Sequence, residues 1–122
     1  MEFARVGVVG AGTMGNGIAQ VFAMSGREVV MTDVDQKFVD RGIATIEKSL
    51  GKLVAKEKLG KEEADKVRAR ITGGTALELH EDCDLVVEAV VEDLAVKQEL
   101  FSKLDKLVKP GALLATNTST IS

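Results

Sequence analysis

The feature that most limits what this chain can fold into is Gly10-Ala11-Gly12-Thr13-Met14-Gly15, because of what flanks it. Ahead of it lies the apolar run from Phe3 to Val9, a buried-strand candidate that ends directly in the glycines. Behind it, Ile18, Ala19, Val21, Phe22 and Met24 set out a helical stretch, with Gly26 placed as its stop. Glu28-Val-Val-Met-Thr-Asp33 then reads as a second strand, so an acid closes that strand 23 residues after Gly10. G-x-G-x-x-G alone is a weak signal; between a strand and a helix, with such an acid downstream, it becomes specific. Gly10 permits the tight turn, Gly12 lets backbone approach a pyrophosphate, and Gly15 lets helix and strand pack closely. The helix opening at the loop offers unpaired N–H groups and a positive dipole end to phosphate. Asp33 suits the ribose hydroxyls of an adenosine; with Asp35 nearby and no Arg adjacent, it repels a 2′-phosphate. The pattern therefore implies NAD rather than NADP.

The rest of the chain keeps alternating between the two periods. Val39, Ile43, Ile46, Leu50, Leu53 and Val54 recur largely at steps of three and four, a long helix, and residues 61–70 suit a more polar one. Ile71-Thr72 ahead of Gly73-Gly74 fits a short third strand. Residues 84–90 carry β-branched side chains on both faces, as a strand inside a parallel sheet does. Val96, Leu100, Leu104 and Val108 mark a helix that Pro110-Gly111 stops, and residues 112–116 are the last strand. This alternation predicts an α/β fold, a doubly wound parallel sheet. With 122 residues, 45% of them apolar and 29% charged, there is room for one such domain with its own core. One Cys leaves no disulfide framework and suits a reducing, cytoplasmic compartment. No apolar stretch is long enough to cross a membrane, and no basic-then-apolar leader precedes Phe3. A net charge of −3 speaks against non-specific nucleic-acid binding.

Four stretches together resemble the 3-hydroxyacyl-CoA dehydrogenases, a family that includes 3-hydroxybutyryl-CoA dehydrogenase: VGVVGAGTMGNGIAQ (6–20), FVDRG (38–42), CDLVVEAVVEDLAVKQELF (83–101) and LLATNTST (113–120). They span nearly the whole chain in register. The related 6-phosphogluconate and 3-hydroxyisobutyrate dehydrogenases carry a similar Met-Gly loop, but not the E-A-V-x-E segment with its following Lys. The resemblance implies a Rossmann-type NAD-binding domain over residues 1–122, incomplete at its C-terminal end. It also implies reversible oxidation of a (3S)-3-hydroxyacyl-CoA to the 3-ketoacyl-CoA. Residue by residue, it implies that Gly10, Ala11, Gly12, Thr13, Met14, Gly15 and Asp33 hold NAD together with Glu92 and Lys97. Ser119 would lie between cofactor and substrate and hydrogen-bond the reacting oxygen, a catalytic position. Glu92 and Ser119 follow strands ending near Val90 and Thr116, so both fall on the carboxyl edge, where open α/β sheets take ligands. Ser49 and Lys56 would contact the CoA of an acyl-CoA substrate. Lys48, Lys52 and Lys56 form a stripe four residues apart, which repels itself by about 0.2–0.5 kcal/mol per pair. An anionic partner would relieve that repulsion, though a solvated helix face accounts for the stripe equally well.

Hydride transfer needs a group to take the hydroxyl proton, ordinarily a His. The only His, His80, precedes the strand starting near Asp84 and is expected at the amino edge, in a surface or capping role. Cys83 reads as a core thiol. In the family resembled, the catalytic His and its orienting Glu belong to an H-F-x-N-P-x segment after the N-T-S motif, and a helical dimerisation domain comes later. The sequence reaches Ser122, ahead of all of these. The expectation is a chain that binds NAD with little or no turnover, leaves homo-oligomerisation to that later domain, and self-associates through an uncovered sheet edge. Two other readings stay open: a non-enzymatic NAD-binding module, against which Ser119 speaks, and a dehydrogenase of a different 3-hydroxy acid.

Overall fold

The computed structural model describes residues 3–90 and 94–116. Its five strands are all parallel: β1 (Arg5–Val9), β2 (Glu28–Thr32), β3 (Ile71–Gly74), β4 (Leu85–Glu88) and β5 (Leu113–Thr116). They stand in the order β3-β2-β1-β4-β5. Between them run α1 (Thr13–Met24), α2 (Gln36–Ala55), α3 (Lys61–Ala69) and α4 (Leu94–Leu107), with a 3-10 turn over Leu77–His80 that the sequence pattern did not announce. The chain winds outward from β1 to β3, then returns to the other side of β1 for β4 and β5. This is the doubly wound Rossmann sheet expected from the alternation, and its direction reverses between β1 and β4.

Strand alternation divides the core in two. Val8, Val29, Met31 and Ile71 point to the side covered by α1, α2 and α3, where they meet Ala19, Ala23, Ile46, Leu50 and Val67. Val9, Val30 and Val86 point to the other side, against Leu104 of α4 and the buried thiol of Cys83, as expected of a core cysteine. Burial raises the Cys83 thiol above its ordinary pKa. The face that α1 turns to the sheet is made of Gly15, Asn16, Ala19 and Ala23, small enough to bring the helix close. Its end is set by Ser25 and by Gly26 at φ +96°, a left-handed stop. Asp35 starts α2 by accepting a hydrogen bond from the Lys37 amide at 3.0 Å.

Gly73 and Gly74 lie inside β3 rather than after it, paired with Met31 and Thr32. Packing explains the choice of residue: a Cβ on Gly73 would stand 2.5 Å from Val39, and one on Gly74 would stand 2.5 Å from Leu79. At the amino edge, the Asp84 carboxylate accepts the Ala4 and Arg5 amides, each at 2.9 Å, and pairs with Lys109. The Lys109 ammonium, with those amides, holds Asp84 below the ordinary carboxylate range.

His80 overturns its expected surface or capping role. Its side chain is fully buried, and the ring lies against the middle of β1, where Gly7 leaves room for it. The ring reaches Thr32 at the far end of β2, with Nε2 2.7 Å from Thr32 Oγ1. Desolvation in the core, helped by the Arg5 guanidinium, lowers the imidazole pKa from 6.5 to about 4. A Cβ on Gly7 would stand 2.2 Å from His80 Nδ1, so Gly7→Ala must displace the ring from a packed site. Such overpacking is expected to remove about 1–3 kcal/mol of stability. A urea midpoint equal to the wild type would show that the ring is free to move aside.

Candidate functional site

The glycine loop is locked from four directions. Gly10 has φ +110°, its amide donates to Thr32 O at 2.7 Å, and a Cβ there would stand 2.7 Å from the Ala89 carbonyl oxygen. No side chain fits between β1 and β4 at that point. A Cβ on Gly15 would lie 1.7 Å from Gly10 O, so the close helix–strand contact read from the fingerprint is present in the fold. Gly42 of α2 presses on Ala11 O, where a Cβ would come to 2.6 Å. Asn16 donates through Nδ2 to Gly12 O at 2.7 Å and to Ala11 O at 3.3 Å.

Gly12 behaves differently. A Cβ there would meet nothing within 4 Å, although its backbone needs no positive φ. Nothing inside the described structure demands glycine at this position. It caps α1 without a side-chain hydrogen bond, the first turn carries no acid, and Thr13 and Met14 beside it are exposed. The helix start thus presents unscreened amide donors and a positive dipole end toward an outside anion.

Asp33 closes β2 beside this loop, half-buried. Its Oδ2 accepts the Ala11 amide at 2.8 Å and its Oδ1 accepts the Val34 amide at 2.7 Å. The carboxylate is thereby fixed at the rim of a cleft of about 510 Å³, which opens at the carboxyl edge of the sheet where the strand order reverses. Gly10, Gly12, Asp33 and Val34 form one wall, and Ala89, Val90, Val96 and Leu100 form the other. Val34 is 87% exposed and Val96 is 51% exposed, apolar surface that a flat ring can cover. In sum, the cleft offers amide donors for an anion, a carboxylate for hydroxyls and apolar walls for a ring.

On the β4 side, Lys97 is buried at 2% exposure, and its Nζ lies 3.2 Å from Oε1 of Glu88, itself fully buried. The Glu88 carboxylate also accepts the Val90 amide and the Thr116 hydroxyl, each at 2.6 Å. Sequence reading missed Glu88; an acid inside an otherwise apolar strand, with a lysine downstream, was the available signal. It also missed Asn16 and Gly42. Glu92 and Ser119 lie outside the described residues. Ser49 and Lys56 are not among the residues lining the cleft: Ser49 accepts a hydrogen bond from Gln20 Nε2 at 3.0 Å, between α2 and α1, while Lys56 caps α2 in solvent. Among the described residues, no three His, Cys, Asp or Glu cluster to hold a metal, and no helix is long and apolar enough to cross a membrane.

Comparison with known proteins agrees with this geometry. The family model of the 3-hydroxyacyl-CoA dehydrogenase NAD-binding domain matches residues 5–122. A probable 3-hydroxybutyryl-CoA dehydrogenase of Deinococcus radiodurans is 53% identical over 117 residues, which are 96% of this chain and 42% of that protein. The crystal structure of (S)-3-hydroxybutyryl-CoA dehydrogenase from Ralstonia eutropha superposes with a TM-score of 0.95 at 41% identity, covering 99% of this chain and 43% of that one. The 3-hydroxybutyryl-CoA dehydrogenase of Escherichia coli gives 0.97 at 38% identity, covering 100% of this chain and 26% of that one. The chain thus spans well under half the length of these relatives.

Proposed function

The chain belongs to the family of 3-hydroxyacyl-CoA dehydrogenase NAD-binding domains, and from that premise we propose that it is the cofactor-holding part of an oxidoreductase interconverting (3S)-3-hydroxyacyl-CoA and 3-ketoacyl-CoA. The observation that carries this reading is Gly12, a glycine with no internal reason to be one, set in a rigid loop at the start of α1 and facing the cleft. Gly10, Ala11, Gly12, Thr13, Met14 and Gly15 would receive the diphosphate of NAD on their amides and on the helix dipole. Asp33 would take the adenosine ribose, between the apolar surfaces of Val34 and Val96. The other half of the molecule then extends across β1 toward β4, where Lys97 and Glu92 would meet it and Ser119 would stand between it and the acyl substrate. Bound NAD supplies the hydride acceptor; the chain's part is to hold it at the open edge of the sheet. Ser49 and Lys56 are proposed as contacts for the CoA moiety, and assembly into a homo-oligomer is proposed for the longer polypeptide.

The proton-accepting role is not given to His80, whose Nε2 is engaged with Thr32 inside the core. The chain alone is accordingly proposed to bind NAD with negligible turnover of acetoacetyl-CoA and NADH. Because it has no Trp or Tyr, NADH fluorescence can be titrated without a protein background. Saturable NADH binding is expected, with NADPH at least about tenfold weaker because its 2′-phosphate would face Asp33, a difference of about 1.4 kcal/mol. Asp33→Asn should narrow that preference. Equal affinity of the wild type for both nucleotides, or no binding of either, refutes the proposal.

A further inference from the structure

Glu88 carries a charge in a place where a charge needs a reason. It is the last residue of β4, its side chain is fully buried, and an apolar residue of similar size would ordinarily serve the core as well or better. The carboxylate instead gathers three elements at the carboxyl edge. Oε2 accepts the Val90 amide in the turn leaving β4, and Oε1 accepts both the Thr116 hydroxyl at the end of β5 and the Lys97 ammonium of α4. Ala89 and Val90, which follow it directly, line the cleft, and the Ala89 carbonyl oxygen fills the space that a Cβ on Gly10 would need. Glu88, Lys97 and Thr116 are not themselves among the cleft-lining residues. The cluster stands at the carboxyl edge of β4 and β5, next in the chain to the lining residues Ala89, Val90 and Val96 and across the strand-order reversal from Asp33.

We propose that Glu88 is a positioning residue: its buried carboxylate holds the Lys97 ammonium in a preset place on the β4 side of the cleft, where the nicotinamide half of the cofactor docks. This rests on the proposed binding of NAD. The uncharged neighbours Val90 and Thr116 fix the carboxylate itself, so the ammonium is oriented before the ligand arrives and binding does not spend affinity on ordering a long side chain.

The test uses the full chain with Glu88→Gln, Lys97→Met and the double variant. NADH affinity is read by fluorescence, ADP affinity by calorimetry and stability by thermal unfolding. Gln can still accept the Val90 amide and bond Thr116, so Glu88→Gln removes chiefly the charge. It is expected to weaken NADH about tenfold, leave ADP unchanged because ADP lacks the nicotinamide half, and lower Tm because the Lys97 ammonium loses its carboxylate. The double variant should regain Tm over Glu88→Gln yet bind NADH no more weakly than Lys97→Met alone, as expected of two residues acting as one unit. Wild-type NADH affinity in Glu88→Gln overturns the inference. So do losses that multiply in the double variant, or an ADP affinity that falls in step with NADH. If the wild-type chain binds no NADH, the proposed function fails and this inference with it; if it binds and only the variant pattern disagrees, this inference alone fails.

Discussion

Gly12→Ala is expected to bind NADH at least about tenfold more weakly than the wild-type chain while unfolding at nearly the same urea concentration, whereas Gly15→Ala should lose both binding and stability. The two residues sit three positions apart in the same motif and are glycine for different physical reasons. A Cβ on Gly15 would come within 1.7 Å of Gly10 O and 2.6 Å of Gly10 C, backbone atoms that cannot swing aside, so α1 must lift from β1. Losing that packing is expected to remove about 3 kcal/mol, the upper end for overpacking, from a domain whose whole stability is of order 5–15 kcal/mol. A Cβ on Gly12 meets nothing, and its φ of −70° suits alanine. Alanine is only a poorer cap for α1 than glycine, a change of about 1 kcal/mol or less. What the methyl group does occupy is the space into which a diphosphate must come to reach the helix-start amides. A tenfold loss corresponds to about 1.4 kcal/mol, little enough that one lengthened charge-assisted hydrogen bond accounts for it. NADH titration and urea unfolding of the two variants separate the cases. Unchanged NADH affinity in Gly12→Ala would mean that no phosphate approaches the loop there; a large fall in its stability would make Gly12 an ordinary structural glycine.

That contrast also shows where sequence reading works. The fingerprint assigned Gly10, Gly12 and Gly15 separate tasks, and for Gly10 and Gly15 the fold shows the tight turn and the close packing directly. Strands were legible as short apolar runs, because burial on both faces of a parallel sheet leaves few polar positions, and helices because one buried face leaves apolar residues at steps of three and four. The 3-10 turn over Leu77–His80 has four residues, too few to carry a period. Gly7 is a small residue within the apolar run from Phe3 to Val9; the reason for it lies 73 positions away, in the ring of His80. Glu88 fell inside the predicted strand over 84–90, and nothing in that run shows its role until its partners Val90, Lys97 and Thr116 are seen. Local periodicity records burial, while pairings of this kind depend on how distant segments meet.

The chain is expected to lose up to about 3 kcal/mol of stability between pH 6.5 and pH 4, and His80→Gln is expected to flatten that fall. Near neutral pH the imidazole is uncharged both folded and unfolded. In the unfolded chain it takes a proton at about 6.5, whereas in the core it holds out until about 4. Through that window the unfolded state binds a proton that the native state refuses, so the unfolding free energy falls as pH falls, and the loss is complete below the folded value. The cause is visible around the ring. The Thr32 hydroxyl occupies Nε2, Nδ1 has no hydrogen-bond partner among the described residues, the Arg5 guanidinium contributes repulsion, and the Cys83 thiol offers no countercharge. A second proton would put a positive charge in the core with no carboxylate facing it among these neighbours. Glutamine places an amide nitrogen near the Nε2 position and can keep the Thr32 contact without titrating, at the expense of the ring's packing against Gly7. Urea unfolding at a series of pH values compares the two chains. The His80→Gln chain should start lower at pH 7 and converge on or cross the wild type toward pH 4. Asp84, held below the ordinary carboxylate range, is common to both chains, and its contribution cancels in the difference. Parallel curves would mean that His80 takes its proton at the same pH folded and unfolded, and that the core does not hold the ring neutral.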